Sequence, residues 1–147
     1  MKIKKPVCRG TLYHGRHKHL QTMYIDDLTD AVVACAEAKG WHVEAGIIYK
    51  EQKSEFEFGK YSPAGRDFSF SATMKCANIN SLIEDIDNYY ECFDVDSETY
   101  LWLDHNGHGK RGAPYRMRAV LEDMEATEKM IEELLDAIKG MEVPEEY

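Results

Sequence analysis

The sequence predicts an α+β domain, a three-stranded antiparallel sheet packed on helices, over residues 24–147, preceded by a basic arm or lead-in at residues 1–23. Three observations carry this. Apolar residues recur at helical spacing near 27–39, 81–93 and 114–139. Between the first two of these they alternate with polar residues in three short runs. Turn-forming residues separate those runs. With 147 residues, 44% of them hydrophobic, the chain can build one core and is too short for two ordinary domains.

In chain order, residues 1–23 have no clean period and carry six Lys/Arg and no acid. His14, His17 and His19 lie there with Cys8, at spacings that match no standard zinc pattern, so no metal site is assigned. A first helix is expected from about Asp27 to Lys39. Asp26 and Asp27 supply N-cap oxygens, Leu28, Val32, Cys35 and Ala36 form the apolar stripe, and Gly40 stands where a C-terminal cap belongs.

The period then changes to two: Trp41, Val43, Ala45, Ile47 and Tyr49 point one way, His42, Glu44 and Lys50 the other. Phe56 and Phe58 alternate with Glu55 and Glu57, and after Ser62-Pro63-Ala64-Gly65 the run Phe68, Phe70, Ala72, Met74 alternates with Ser69, Ser71, Thr73. Three strands in meander order with one wet face describe an antiparallel sheet.

Ser81 and Glu84 have capping-box spacing for a second helix, with Leu82, Ile86, Tyr89 and Phe93 on one face and Glu84, Asp85, Asp87 and Glu91 outside. A short helix is expected within Asp94–Leu103. The last helix opens near Pro114 and stops at Gly140, with Met117, Met124, Ile131 and Ile138 at intervals of seven. At about 25 residues it spans roughly 37 Å, long for this domain. Its apolar seam therefore packs on the sheet and second helix, or one end pairs with a second copy. Thr127 and Glu128 interrupt the seam and weigh against a coiled coil.

This order, α-β-β-β-α followed by a short and a long helix, begins like the double-stranded RNA-binding domain. The basic start of that domain's second helix is missing here, where Asn80-Ser81-Leu82-Ile83-Glu84-Asp85 stands. RNA binding is therefore not expected to accompany the order.

The net charge of −9 is distributed in blocks. Residues 77–109 carry eight acids and no Lys/Arg, residues 110–118 four Lys/Arg and no acid, and residues 119–147 ten acids against two Lys. Such a surface repels nucleic acid, which argues against direct nucleic-acid binding, and attracts a basic partner. Glu122, Glu125, Glu128 and Glu132 of the last helix and Glu84 and Asp87 of the second form the candidate partner-binding face, with Asp123, Glu133 and Asp136 on the same rod. Carboxylates on a rigid rod imitate a row of phosphates, so the expected partner is the basic surface of a nucleic-acid-binding protein. Among the helix's acids, Glu125 with Lys129 is the favourably ordered opposite pair.

The loop Asp104-His105-Asn106-Gly107-His108-Gly109-Lys110-Arg111-Gly112 is the alternative site. Its three glycines allow backbone amides to approach a ligand, and it leads into a helix N-terminus. Lys110, Arg111 and Arg116, with His105 and His108, are the candidate anion-binding residues; Arg118 has Glu122 one turn away as a local partner. The P-loop spacing is absent. Asp94-x-Asp96-x-Glu98 starts like a calcium loop but has Thr99 where glycine is needed. No Ser or Cys stands in a nucleophile elbow, so no catalytic residue and no cofactor are assigned. The four cysteines, unevenly spaced, read as reduced buried thiols, and the lack of a long apolar run predicts a cytoplasmic protein with no membrane segment.

The run Tyr100-Leu101-Trp102-Leu103-Asp104, Gly107-His108-Gly109-Lys110 and Gly112-Ala113-Pro114-Tyr115, followed by Leu121-Glu122-Asp123-Met124-Glu125-Ala126, resembles small acidic proteins of phages and mobile elements of gut bacteria. The resemblance covers the last third of the chain and brings no assigned activity. It implies a prior toward inhibitors of restriction enzymes or of RNA-guided nucleases (anti-CRISPR proteins).

Overall fold

Tyr24, Ile25, Leu28, Val32 and Ala36, spaced for one helical face, are buried, and they hold helix α1 (Gly15–Ala38) against the sheet. The computed structural model describes residues 15–110 and 112–145, with side chains of α1 from Tyr24 onward. The helix begins well before the predicted start. Asp26 and Asp27 are interior residues of α1 and not its caps. Its end is as expected: Gly40 takes φ 89°, and the N–H groups of Gly40 and Trp41 return to the carbonyls of Glu37 and Ala36.

The sheet comprises β1 (His42–Ile48), β2 (Lys53–Tyr61) and β3 (Asp67–Met74), antiparallel in that order. Register places Val43 opposite Phe58 and Phe58 opposite Phe70, so the period-two residues form one apolar layer. Trp41 meets Phe58, Phe68 and Phe70 edge-on, and Tyr89 stacks on Phe70 at 4.5 Å. The outer face carries exposed Glu44, Glu55, Glu57, Ser69 and Ser71. Tyr49, expected on the inner face, lies outside the strand in a 3-10 turn (Tyr49–Glu51), where its exposed hydroxyl donates to Asp26 Oδ1 at 2.6 Å.

Helix α2 (Ile79–Cys92) is capped by Asn78, whose side chain accepts from Asn80 N–H. Ser81 is therefore inside the helix, and its hydroxyl bonds Asn78 O and Lys75 instead of forming a capping box. The short helix is α3 (Val95–Leu101), with Asp94 as N-cap accepting from Asp96 N–H and from the Ser97 hydroxyl. These bonds, the Ser97 hydroxyl first, hold the Asp94 carboxyl below its ordinary value, so the calcium-like acid spacing is explained by capping. Helix α4 (Met117–Lys139) starts three residues after Pro114 and buries Met124, Ile131, Leu134, Leu135 and Ile138 in the core. The heptad seam is thus occupied within the chain, while Met117, its first member, is exposed.

Thr127, the polar interruption of that seam, is buried for a reason. Arg66, in the β2–β3 turn, reaches α4 with Nε donating to Asp123 Oδ2 at 2.8 Å and Nη2 donating to Thr127 Oγ1 at 2.6 Å. The two charged side chains are 4% and 1% exposed. The guanidinium also lies 5.1 Å from the Trp102 ring centre and 5.9 Å from that of Phe68. One bolt joins the sheet, α4 and the segment that leads into the glycine loop.

The cysteine reading is corrected in two places. Cys76 is disulfide-bonded, and of the free thiols Cys35 is half-buried while Cys92 is exposed. Cys76 and Ala77 both sit at positive φ, 54° and 49°, in the turn between β3 and α2. Cys8 lies outside the described residues.

Candidate functional site

α2 and α4 lie side by side, and their acidic faces meet at Tyr90. Its hydroxyl donates to Glu132 Oε2 at 3.3 Å. Partial burial, then Glu132, Glu128 and Glu91, push this hydroxyl's pKa above its ordinary value, which puts carboxylates from both helices around one ring. Because the opposite stripe of α4 is in the core, Glu122, Glu125, Glu133 and Asp136 are exposed, and Glu128 and Glu132 are half-buried beside α2. On α2, Glu84 and Glu91 are exposed and Asp87 is half-buried.

One acid drops out of the predicted face. Asp123 is in the core with Arg66, whereas Asp85, which accepts the Thr73 N–H at the edge of β3, stays exposed. Among the described residues, neither Glu125 with Lys129 nor Arg118 with Glu122 forms an ion pair. The face is consequently less neutralised than the helical spacing implied.

The glycine loop is a folded structure with its own hydrogen bonds. Asp104 Oδ1 accepts from the N–H groups of Asn106 and His108, while Asp104 N–H donates to His108 O and Gly107 N–H to Asp104 O. The His108 amide foremost holds the Asp104 carboxyl below its ordinary range. Lys110 N–H returns to Trp102 O, and Gly109 N–H to Tyr115 O. Gly107 and Gly112 take φ of 79° and 80°, and a Cβ on Gly109 would meet Pro114 O at 1.8 Å. The glycines are thus required by the loop's own geometry.

This organisation separates the predicted loop residues. Asp104 serves the loop and is not poised with the histidines as an acid/base group. His108 is half-buried and stacks on Tyr115 at 4.0 Å and 16°, and His105 is exposed. Lys110, Arg116 and Arg118 are exposed, and among the described residues none of them has an ion-pair partner. Arg116 is the N-cap of α4 without a capping side-chain bond, and the first turn holds no acid, so cations stand at the helix end where the dipole disfavours them. Arg111 lies outside the described residues.

Among the described residues no group of three or more His, Cys, Asp or Glu is arranged to hold a metal, and no helix is long and apolar enough to cross a membrane. His14 and the side chains of His17 and His19 lie outside them. Sequence reasoning missed Tyr90 as the junction and the Arg66–Asp123–Thr127 set. Its available signal for the latter was the buried-face threonine in the heptad. Comparison with protein-family models, with curated proteins and with solved structures returns no match.

Proposed function

We propose that this is a non-enzymatic binding protein that offers the joined acidic faces of α2 and α4 to the cationic groove of a nucleic-acid-handling protein and inhibits it by occupying that groove. The contact of Tyr90 with Glu132 carries the reading, because it merges two acidic helices into one surface. Glu125, Glu128, Glu132 and Asp136 run along about 16 Å of rod at the helical rise. The like-charged i,i+4 pairs Glu128–Glu132 and Glu132–Asp136 weaken the helix itself, so helix stability does not account for them. A field of this sign accelerates encounter with a basic partner and keeps free nucleic acid away. The proposed site of action is the cytoplasm, where the Cys76 disulfide would meet a reducing pool.

The test uses the immobilised full chain and a lysate of cells that carry defence nucleases. A nucleic-acid-binding protein should be retained at low salt, be displaced by competing duplex DNA, and be lost when Glu125, Glu128 and Glu132 are changed to Lys. Retention unaffected by that triple reversal, or no retained protein, sinks the proposal.

A second reading is favoured by one observation: Lys110, Arg116 and Arg118 stand unpaired among the described residues of a chain with net charge −9. They fit a phosphate- or carboxylate-bearing ligand at the loop. Thermal-shift screening with phosphorylated ligands, and a gel shift with salt titration, distinguish the readings. A steep inverse salt dependence with nucleic acid, lost in Lys110→Ala and Arg116→Ala, favours the loop.

A further inference from the structure

A cleft of about 420 Å³ lies between the end of α1, the start of the sheet and the C-terminal half of α4, lined by Lys39, Trp41, Lys60, Glu133, Asp136 and Ala137. Its size falls in the range of small-molecule sites, about 300–1,000 Å³. Its cations come from α1's end and β2, its carboxylates from α4. Two ammonium groups and two carboxylates line one space, yet among the described residues none of the four forms an ion pair.

The cleft is also built from fixed parts. Lys60 Nζ donates to Lys39 O at 3.0 Å and lies 5.6 Å from the Trp41 ring centre, which fixes one cation against the indole. Cys35 Sγ donates to Ala137 O at 3.4 Å, tying the α4 wall to α1. Trp41 is 2% exposed, and among the described residues its buried Nε1–H has no acceptor.

We infer that this cleft binds a zwitterionic α-amino acid, with the carboxylate toward Lys39 and Lys60, the ammonium toward Glu133 and Asp136, and the side chain over Ala137. A simple anion meets two carboxylates there and a simple cation meets two lysines. A ligand carrying both charges satisfies both walls, and each contact is a charge-assisted hydrogen bond. This site uses neither Tyr90 nor the glycine loop, but it shares Asp136 with the acidic row proposed for the partner.

The test is calorimetric titration of the full chain at neutral pH and low salt with L-leucine, N-acetyl-L-leucine and L-leucinamide. Leucine should bind saturably, and each analogue, lacking one of the two charges, should bind about tenfold or more weakly, the scale of one lost charge-assisted hydrogen bond. Lys60→Met and Asp136→Asn should each weaken leucine to a similar extent while keeping the circular dichroism of the parent. Binding of N-acetyl-L-leucine as tight as leucine overturns the inference in favour of a plain anion site. No saturable binding of leucine, or binding untouched by both substitutions, overturns it altogether.

Discussion

Removing the Asp123 carboxylate tests whether the fold rests on the bolt between β2–β3 and α4. Arg66 and Asp123 are 4% and 1% exposed and 2.8 Å apart, so Asp123→Ala leaves a guanidinium in the core with only the Thr127 hydroxyl and two aromatic faces as neighbours. Breaking a buried pair from one side costs about 3–5 kcal/mol. For a domain of this size a change of 1 kcal/mol moves Tm by about 2–4 °C, so the variant should melt about 6–20 °C lower. The double change Arg66→Met with Asp123→Leu removes both charges, keeps apolar volume, and should cost less than Asp123→Ala alone, because most of the single-variant loss is the stranded charge. Urea titrations followed by circular dichroism give the free energies, and thermal melts give Tm. The reasoning fails if Asp123→Ala stays within about 1 kcal/mol of the parent, or if the losses of Arg66→Met and Asp123→Leu simply add in the double variant.

Other outcomes follow from the loop and the thiols. Gly109→Ala drives a Cβ to 1.8 Å from backbone Pro114 O, whereas Gly112→Ala meets nothing and strains only φ, so urea midpoints should fall further for Gly109, by about 1–3 kcal/mol. Asp104 is held below its ordinary pKa of 3.8, so its contribution is complete above that value and is lost as pH falls from there toward the folded-state value. The protection of the Asn106 and His108 amides, taken against the intrinsic exchange rate at each pH, should therefore fall in acid, and Asp104→Asn should abolish that pH step while lowering protection at neutral pH. Exposed Cys92 should react quickly with a thiol reagent, Cys35 slowly because burial raises its thiol pKa, and Cys76 only after a reductant is added, all readable by peptide mass analysis.

The sheet was legible because alternation is a local property: Val43, Phe56, Phe58, Phe68, Phe70 and Met74 all lie on the buried face that their spacing assigns. Helix termini were less so. Asp26–Asp27 and Ser81 are good cap residues in isolation, but α1 and α2 continue through them, since the apolar stripe of α1 begins at Tyr24 and Asn78 already caps α2. The failures at the sites share a cause. Which of ten neighbouring carboxylates turns inward depends on a partner 57 residues away, and Asp123 is indistinguishable from Glu122 until Arg66 is located. The cations Lys110, Arg116 and Arg118 were legible, and their lack of ion-pair partners among the described residues was not, because helical spacing offered Glu122 to Arg118 and the fold did not use it. Tyr90 and the Trp41 cleft arise where elements distant in sequence meet, and no window of the chain contains them.

The charge pattern around α4 has an electrical consequence for that helix. Lys110, Arg116 and Arg118 stand at the helix's positive end, and the carboxylates from Glu122 to Asp136 follow toward its negative end. Side chains usually offset the peptide dipoles of a helix; here they add to them. Helix α4 therefore carries a permanent dipole moment along its axis, and in the field of a basic partner it experiences a torque as well as an attraction. It turns so that the carboxylate-bearing end arrives first, and the cation-bearing loop is left facing solvent, free to act while the other end is engaged.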